Sequence, residues 1–200
     1  LNISTEGGGE PYYRGLTGQW NLDECTWNGA AAEIVDSSGS DAHGTSFNFT
    51  VSEHNQARAV GKVCRSGAFN IGATNNQYAT LGNEAFQNIG NFSLSLWFRV
   101  DQLSTTLTPL FSGANSGNSN TMLIYFDSTG ATIRTHLAGA QTGTFNVGQS
   151  VADGLWHHLV WIRDTQGAGT ETIYLDGAVF TDASTNTAVF SLSPGGVILG

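Results

Sequence analysis

Apolar and polar residues alternate along most of the chain after Leu16, and this period of two predicts β-strands rather than helices. The clearest segment is 91–100, where Phe92, Leu94, Leu96 and Phe98 occupy every second position. Because Trp97 adds an apolar residue to the other set, we expect a central strand that is covered on both faces. The other predicted strands cover residues 16–22, 107–112, 122–126, 132–137, 144–147, 156–163, 172–175, 178–180 and 189–191.

Turn-forming residues separate these strands at intervals of about 8 to 15 residues, a spacing typical of all-β domains. The strongest turn is Asp176-Gly177, which predicts a two-residue hairpin with positive φ at both positions. Apart from one short helical turn near 83–87, no segment follows a helical period. We therefore expect an all-β fold, an antiparallel two-sheet sandwich or jelly roll. Residues 1–15, with three consecutive glycines, are predicted to form an irregular tether, and residues 16–200 a single domain.

The charge balance excludes several classes of partner. The chain has 7 Lys or Arg residues against 16 Asp or Glu, a formal net charge of −9. Basic residues this few and this scattered cannot neutralise the phosphates of a nucleic acid, and they disfavour docking on an anionic membrane. No apolar run approaches the roughly 18 residues of a membrane-spanning helix, and no signal peptide is recognisable at the start.

The two cysteines, Cys25 and Cys64, fit neither a zinc-binding spacing nor a redox motif. An even cysteine number in an acidic, Lys-poor chain favours an oxidising, extracellular compartment. A Cys25–Cys64 disulfide would close a loop of about 38 residues and stabilise the fold by about 4 kcal/mol. The alternative is a pair of separate, buried thiols.

Four motifs in a fixed order carry a resemblance to a known family. They are Trp-Asn-Leu-Asp-Glu at 20–24, the Asp-, Ser- and Gly-rich loop at 35–44, Gly-Leu-Trp-His-His at 154–158 and Ile-Tyr-Leu-Asp-Gly at 173–177. In this order they resemble the laminin-G-like, concanavalin A-like jelly-roll domains of bacterial surface proteins. The resemblance implies a two-sheet sandwich at the cell surface that acts in binding or adhesion.

The segments 23–29 and 61–64, which contain the two cysteines, resemble the MshQ-like proteins of mannose-sensitive haemagglutinin pilus clusters. In those proteins the two cysteines pair, so the resemblance adds to the expectation of a disulfide. Family domains usually continue beyond an Ile-Leu-Gly like that at 198–200 into one more strand with acidic residues. We therefore expect the last strand to be missing here and a sheet edge to be open to strand addition.

A calcium site is predicted in the loop that contains Asp36, Gly39, Asp41 and His43. Calcium takes six to eight oxygen ligands, and a Gly-rich loop can supply carbonyl oxygens beside its carboxylates. The resemblance implies one Ca²⁺ here, completed by an acidic residue of the last strand. The alternative is a loop without metal, in which Asp36 accepts backbone N–H groups in an Asx turn.

The pair His157-His158 follows Trp156 on a predicted strand. Neighbouring strand residues point to opposite faces, so the two histidines cannot chelate one ion together. We expect one of them to be buried and hydrogen-bonded in a structural role.

No catalytic motif is present: paired strand carboxylates of the glucanase type, a nucleophile elbow, a zinc-protease helix and a phosphate loop are all missing. Saccharide binding instead needs exposed aromatic rings beside polar groups. The candidate ligand-binding residues are the aromatic Tyr12, Tyr13 and Trp27 and the polar loop residues Asn115, Asn118 and Asn120.

The favoured hypothesis is a non-catalytic, extracellular module that recognises a glycan or a surface protein, with Ca²⁺ as a stabiliser. The alternative is a structural or tip subunit of a surface appendage such as a pilus, which would contact other copies or other subunits. A glycosidase of the same fold is a remote third hypothesis. Fold alone does not choose among them.

Overall fold

A computed structural model describes residues 1–5, 15–24, 26–49, 59–62, 65–69, 77–114, 122–183, 187–193 and 196–199. Its regular structure consists almost entirely of strands, with one short 3₁₀ helix at Asn83–Phe86. In chain order the strands are β1 (Asn2–Thr5), β2 (Leu16–Gln19), β3 (Thr45–Phe47), β4 (Ala59–Val60), β5 (Arg65–Ser66), β6 (Tyr78–Leu81), β7 (Phe92–Arg99), β8 (Leu107–Gly113), β9 (Met122–Asp127), β10 (Thr132–Leu137), β11 (Ala140–Asn146), β12 (Trp156–Asp164), β13 (Thr170–Leu175), β14 (Ala178–Ala183) and β15 (Val197–Leu199).

Within the described residues, these strands form two packed antiparallel sheets and a small hairpin. One sheet has six strands in the order β14-β13-β12-β7-β1-β2, and the other has seven in the order β11-β10-β9-β8-β15-β6-β3. Among the described strands, β4 and β5 pair with each other and form the small hairpin. The architecture confirms the predicted two-sheet sandwich.

The core lies between the inner faces of the two sheets. Phe92, Leu94, Leu96 and Phe98 of β7 all point inward, as the alternation predicts. The Phe98 ring meets Phe126 of the opposite sheet with ring centroids 5.3 Å apart. Each fully buried side chain of this size contributes about 1.5–3 kcal/mol through the hydrophobic effect.

Two local predictions are confirmed. Asp176 and Gly177 have φ values of 50° and 85°, as the hairpin between β13 and β14 requires. The expected helical turn is the 3₁₀ helix, which buries Phe86 beneath a stacked Trp20 ring. In the described ranges, no helix has both the length and the apolar composition needed to cross a bilayer.

The predicted N-terminal tether is wrong for its first residues. Asn2–Thr5 forms β1, which lies inside the six-stranded sheet and pairs with both β7 and β2. Ile3 is completely buried, so the segment contributes to the core. A strand this short has no visible alternation of its own, and its conformation comes from the two neighbours that supply its hydrogen bonds.

Two further expectations change. Trp97 is 46% exposed, so the outer face of β7 is not covered as predicted. The predicted strand at 189–191 is reduced to a single bridge between Phe190 and Ile89. The C-terminal strand β15 pairs with β6 on one side and β8 on the other. The expected absence of one further strand after it, and the open sheet edge that this would leave, stay predictions.

Candidate functional site

The outer face of the six-stranded sheet carries an exposed row of rings that we call the aromatic strip: Trp97 of β7, His158 of β12 and Tyr174 of β13. Trp97 lies directly opposite His158 in the β7–β12 register, whereas Tyr174 on β13 lies opposite Val160 and therefore stands diagonally to His158. Trp97 is 46% exposed and Tyr174 is 38% exposed. The alternation that buries their neighbours in β7 and β13 places these rings on the surface.

His158 is the fixed centre of the strip. Its ring lies 4.8 Å from the Trp97 ring, tilted by 32°, and its Nε2 is 2.9 Å from the Ser95 hydroxyl. The backbone N–H of His158 also donates to the Asp176 carboxylate at 2.8 Å. These contacts hold a polar hydroxyl–imidazole pair beside an exposed indole, which suits a ligand with both an apolar face and hydroxyl groups.

A lysine stands over the strip. Lys62, in the turn of the β4–β5 hairpin, places its ammonium 5.1 Å from the centre of the Trp97 ring. This geometry is a cation–π contact between an exposed amine and an exposed indole. On the same outer face, Arg99 binds Asp101 through two N–H···O contacts of 3.1 and 3.0 Å, so its charge is already compensated.

Behind the strip, at the end of the sandwich, Asp153, His157 and Asp176 form a second cluster. His157 Nδ1 lies 2.6 Å from Asp176 Oδ2, and Nε2 lies 3.1 Å from Asp153 Oδ1. Burial opposes protonation of His157, but hydrogen bonds to Asp176 and Asp153 outweigh it and raise its pKa. The cluster lines a cleft of about 220 Å³ together with Leu175 and Phe180.

This cluster joins parts of the fold by hydrogen bonds and does not present a base to activate a nucleophile. Both ring nitrogens of His157 face carboxylates, so neither is available to take a proton from an attacking group. Asp176 also holds the backbone of His158, and it therefore connects the cleft to the aromatic strip. As predicted, His157 and His158 project to opposite sides of the sheet, and His157 is the largely buried, hydrogen-bonded member of the pair.

The loop predicted to bind calcium is closed by its own hydrogen bonds. Asp36 Oδ1 accepts from the backbone N–H groups of Gln19 and Ser38, and Oδ2 accepts from the Ser38 hydroxyl and the Ala42 N–H. Burial raises the pKa of this carboxyl, but these hydrogen bonds outweigh burial and lower it. The four donors occupy the lone pairs that a cation would need.

The other predicted calcium ligands do not converge on Asp36. The Asp41 side chain is 93% exposed, and its Oδ1 lies 4.0 Å from His43 Nε2. His43 Nδ1 accepts the backbone N–H of Asp36. Gly39 has a φ of 93°, a left-handed turn residue within this loop. Among the described residues, no three His, Cys, Asp or Glu side chains are placed so that they could hold a metal ion. In this conformation the loop presents no calcium site, and calcium binding there stays a prediction.

The structure corrects the assignment of Trp27 as an exposed sugar platform. Trp27 is fully buried, packs against Phe49 and Phe69, and donates its indole N–H to Glu24 at 3.1 Å. A Cβ at Gly67 would come within 2.3 Å of its ring. No face of the indole is therefore available to a ligand.

The remaining predicted site residues lie outside the described part of the chain. They are the aromatic Tyr12 and Tyr13, the loop residues Asn115, Asn118 and Asn120, and the cysteines Cys25 and Cys64. Their binding roles and the disulfide stay predictions.

No member of the aromatic strip was among the ligand contacts predicted from the sequence. The sequence did carry a signal for Trp97 and Tyr174. In each strand every second residue faces outward, and those outward positions are otherwise polar, so an aromatic residue among them is exposed. No sequence signal places Lys62 near Trp97, since the two residues meet only through the fold.

Residues 73–200 match the profile of a laminin G family described as the concanavalin A-like lectin/glucanases superfamily. No curated protein sequence matches the chain. A botulinum neurotoxin type C structure, described as entering cells through interaction with two ganglioside molecules, is similar at 13% identity and a TM-score of 0.55, covering 90% of this chain and 42% of that chain.

Two structures of the binding domain of botulinum neurotoxin DC are similar at 13% identity. The one in complex with SialylT has a TM-score of 0.53 and covers 88% of this chain and 42% of that chain. The one in complex with rat synaptotagmin II has a TM-score of 0.54 and covers 88% of this chain and 43% of that chain. This chain therefore spans less than half the length of these three structures, and the similarity concerns the fold.

Proposed function

The chain belongs to the concanavalin A-like lectin/glucanases superfamily, and from that premise we propose that it is a non-catalytic, extracellular module that binds saccharide on the aromatic strip. The ligand would lie across Trp97 and His158, with Tyr174 at the far end of the strip. The protein would act in adhesion at a cell surface, with no nucleic-acid partner, as its charge indicates.

The exposure of Trp97 carries this proposal. An indole that is 46% exposed on a sheet face loses apolar contact with water when a sugar ring stacks on it. The Ser95–His158 pair, 2.9 Å apart, lies beside the indole and supplies hydrogen-bonding groups for sugar hydroxyls. The site has an apolar platform and fixed polar groups at one place.

The comparisons are compatible with this function at the level of fold. The similar toxin structures are described with a ganglioside interaction, with SialylT and with rat synaptotagmin II, but the match covers 42–43% of those chains, so it supports the fold and leaves both glycan and protein open as ligand classes. A surface protein is therefore the alternative ligand class. The MshQ-like subtype and a structural role in a pilus stay predictions, and the described residues supply no specific observation that favours them.

The experiment is a glycan-array screen followed by titration calorimetry on the best ligand. Replacing Trp97 with Ala removes the stacking surface, and we expect affinity to fall by roughly tenfold, since aromatic stacking contributes about 1 kcal/mol or more. Trp97 is not part of the core, so the thermal midpoint should stay close to that of the wild type.

Phe47→Ala is the matched control. Phe47 is 38% exposed and stacks on Tyr78 at the outer face of the other sheet, so its loss removes an exposed ring away from the strip. Affinity should not change in this variant. Equal losses in both variants, or no saccharide binding by the wild type, would refute the proposed site.

A further inference from the structure

Among the described basic residues, one exposed cation without an ion-pair partner lies at the strip. Arg163 is 1% exposed, Arg99 is paired with Asp101, Arg134 lies in the other sheet and Arg65 has a contact of its own. Lys62 is exposed and forms no ion pair with the described residues. Its ammonium, which stands over the exposed Trp97, attracts a negative charge at short range.

From this arrangement we propose that the strip selects saccharides that carry a carboxylate, a sialic or uronic acid, with Lys62 as the residue that determines this selectivity. The inference rests on the proposed saccharide binding and deepens it. The sugar ring would stack on Trp97 while its carboxylate contacts the Lys62 ammonium. Because the ammonium lies 5.1 Å from the ring centre, both contacts are within reach of a single sugar residue.

The flexible side chain of Lys62 allows its ammonium to leave the Trp97 ring for the carboxylate of a ligand. In the structure the ammonium rests over the indole face, where the electron-rich ring attracts a cation. A carboxylate offers the ammonium a full negative charge in place of the ring, and the four-carbon stem lets it move towards the edge of the indole. Trp97 is then free on the side that the sugar covers.

The surrounding charges restrict the ligand to one carboxylate at a time. Asp101 and Asp176 lie near the strip, and the whole chain has a net charge of −9, so a densely charged polyanion is repelled. A single carboxylate that contacts Lys62 is attracted at short range. Its repulsion by the more distant acidic residues is screened by salt. This combination separates an acidic sugar from nucleic acid or sulfated polymers.

The test compares each acidic sugar with its own neutral methyl ester. The probes are 3′-sialyllactose and methyl galactosiduronic acid, which carry one carboxylate each, and each is compared with its methyl ester at low and at high salt. We expect the wild type to prefer each acid by about threefold, the size of an exposed ion pair, and to lose most of that preference in high salt. Lys62→Gln should bind acid and ester equally, with ester affinity retained, and Lys62→Arg should keep the preference.

Arg99→Gln is the matched charge control, since this guanidinium is already bound by Asp101 and its loss should leave the preference unchanged. If the wild type binds acid and ester equally while Trp97→Ala still loses affinity, this inference is wrong and the proposed site stands. If no probe and no array glycan binds, both are wrong. A preference for the acid that persists in Lys62→Gln would also overturn the role of Lys62.

Discussion

At the scale of single residues, Asp36 protects the free edge of β2 with its carboxylate. Its Oδ1 accepts the Gln19 N–H at 2.9 Å, on the side of β2 that faces away from β1. A second carboxylate has the same role on β3, where Glu33 accepts the Ser46 N–H at 2.9 Å. Edge strands of this kind are prone to pairing with other chains, and capping carboxylates prevent that.

The first residue-scale prediction concerns Asp36→Asn, which keeps the shape and removes the charge. Asp36 is 6% exposed and accepts four hydrogen bonds, and an amide nitrogen facing those donors cannot accept them. We expect the free energy of unfolding in urea to fall by about 2–3 kcal/mol, the range for hydrogen bonds to a buried charged group. The same midpoint in calcium and in chelator would agree with the closed loop.

Asp41→Asn is the control within the same loop. Asp41 is exposed and has a φ of 56°, a conformation that Asn adopts readily, so stability should not change. A midpoint that rises in calcium, and does so only when Asp36 is present, would instead restore Asp36 as a metal ligand.

At the scale of elements, the contrast between long and short strands decides what the sequence can predict. β7 and β12 are long enough to display their alternation, and the Asp176-Gly177 turn identifies its hairpin from two residues. β1 and β15 have four and three residues, and each exists because strands on both sides supply hydrogen bonds. Such non-local pairing leaves no period in the sequence.

The element-scale prediction is a pH dependence of the contact between the β13–β14 hairpin and the loop before β12. His157 can donate to both Asp176 and Asp153 only when both ring nitrogens carry protons, and its pKa is raised. This stabilisation is fully present below about pH 6.5, the unfolded histidine pKa, and is lost as pH rises through the higher folded pKa.

Protonation of Asp153 and Asp176 ends this stabilisation at low pH. The pKa of Asp153 is lowered by the Leu155 N–H and by His157; for Asp176, hydrogen bonds from His157 and His158 outweigh burial and lower the pKa. Their contribution is present above about pH 3.9 and is lost as pH falls through the lowered values. The cluster therefore stabilises the fold most between about pH 4 and pH 6.5.

Urea unfolding at about pH 5.5 and about pH 8 measures this effect as the stability at pH 8 minus the stability at pH 5.5, which should be more positive in His157→Gln than in the wild type. His136→Gln serves as a control of opposite sign: burial and the Arg134 charge lower the pKa of His136, so its loss should make the same difference more negative. A difference that His157→Gln leaves unchanged would contradict the role of the cluster.

At the scale of the whole molecule, the sandwich was predictable, whereas the sequence indicates only the outward phase of Trp97 and Tyr174 and not their meeting with His158 and Lys62. The alternation of apolar and polar residues, together with the turns, predicts the class of fold. In β7 it also predicts which residues face the core. The strip, in contrast, joins rings from β7, β12 and β13 with a lysine from a separate hairpin. Candidates chosen by residue type alone included Trp27, whose ring the fold buries completely.

NMR mapping shows whether the ligand lies on the outer face of the six-stranded sheet. An amide and indole N–H spectrum is recorded while the best glycan from the array is added. We expect the largest shifts at the Trp97 indole and at the amides of Ser95, His158 and Tyr174, with Phe47 and Tyr78 on the outer face of the other sheet unchanged. Shifts confined to the cleft around His157 and Phe180, or to the face of Phe47, would contradict this placement of the ligand.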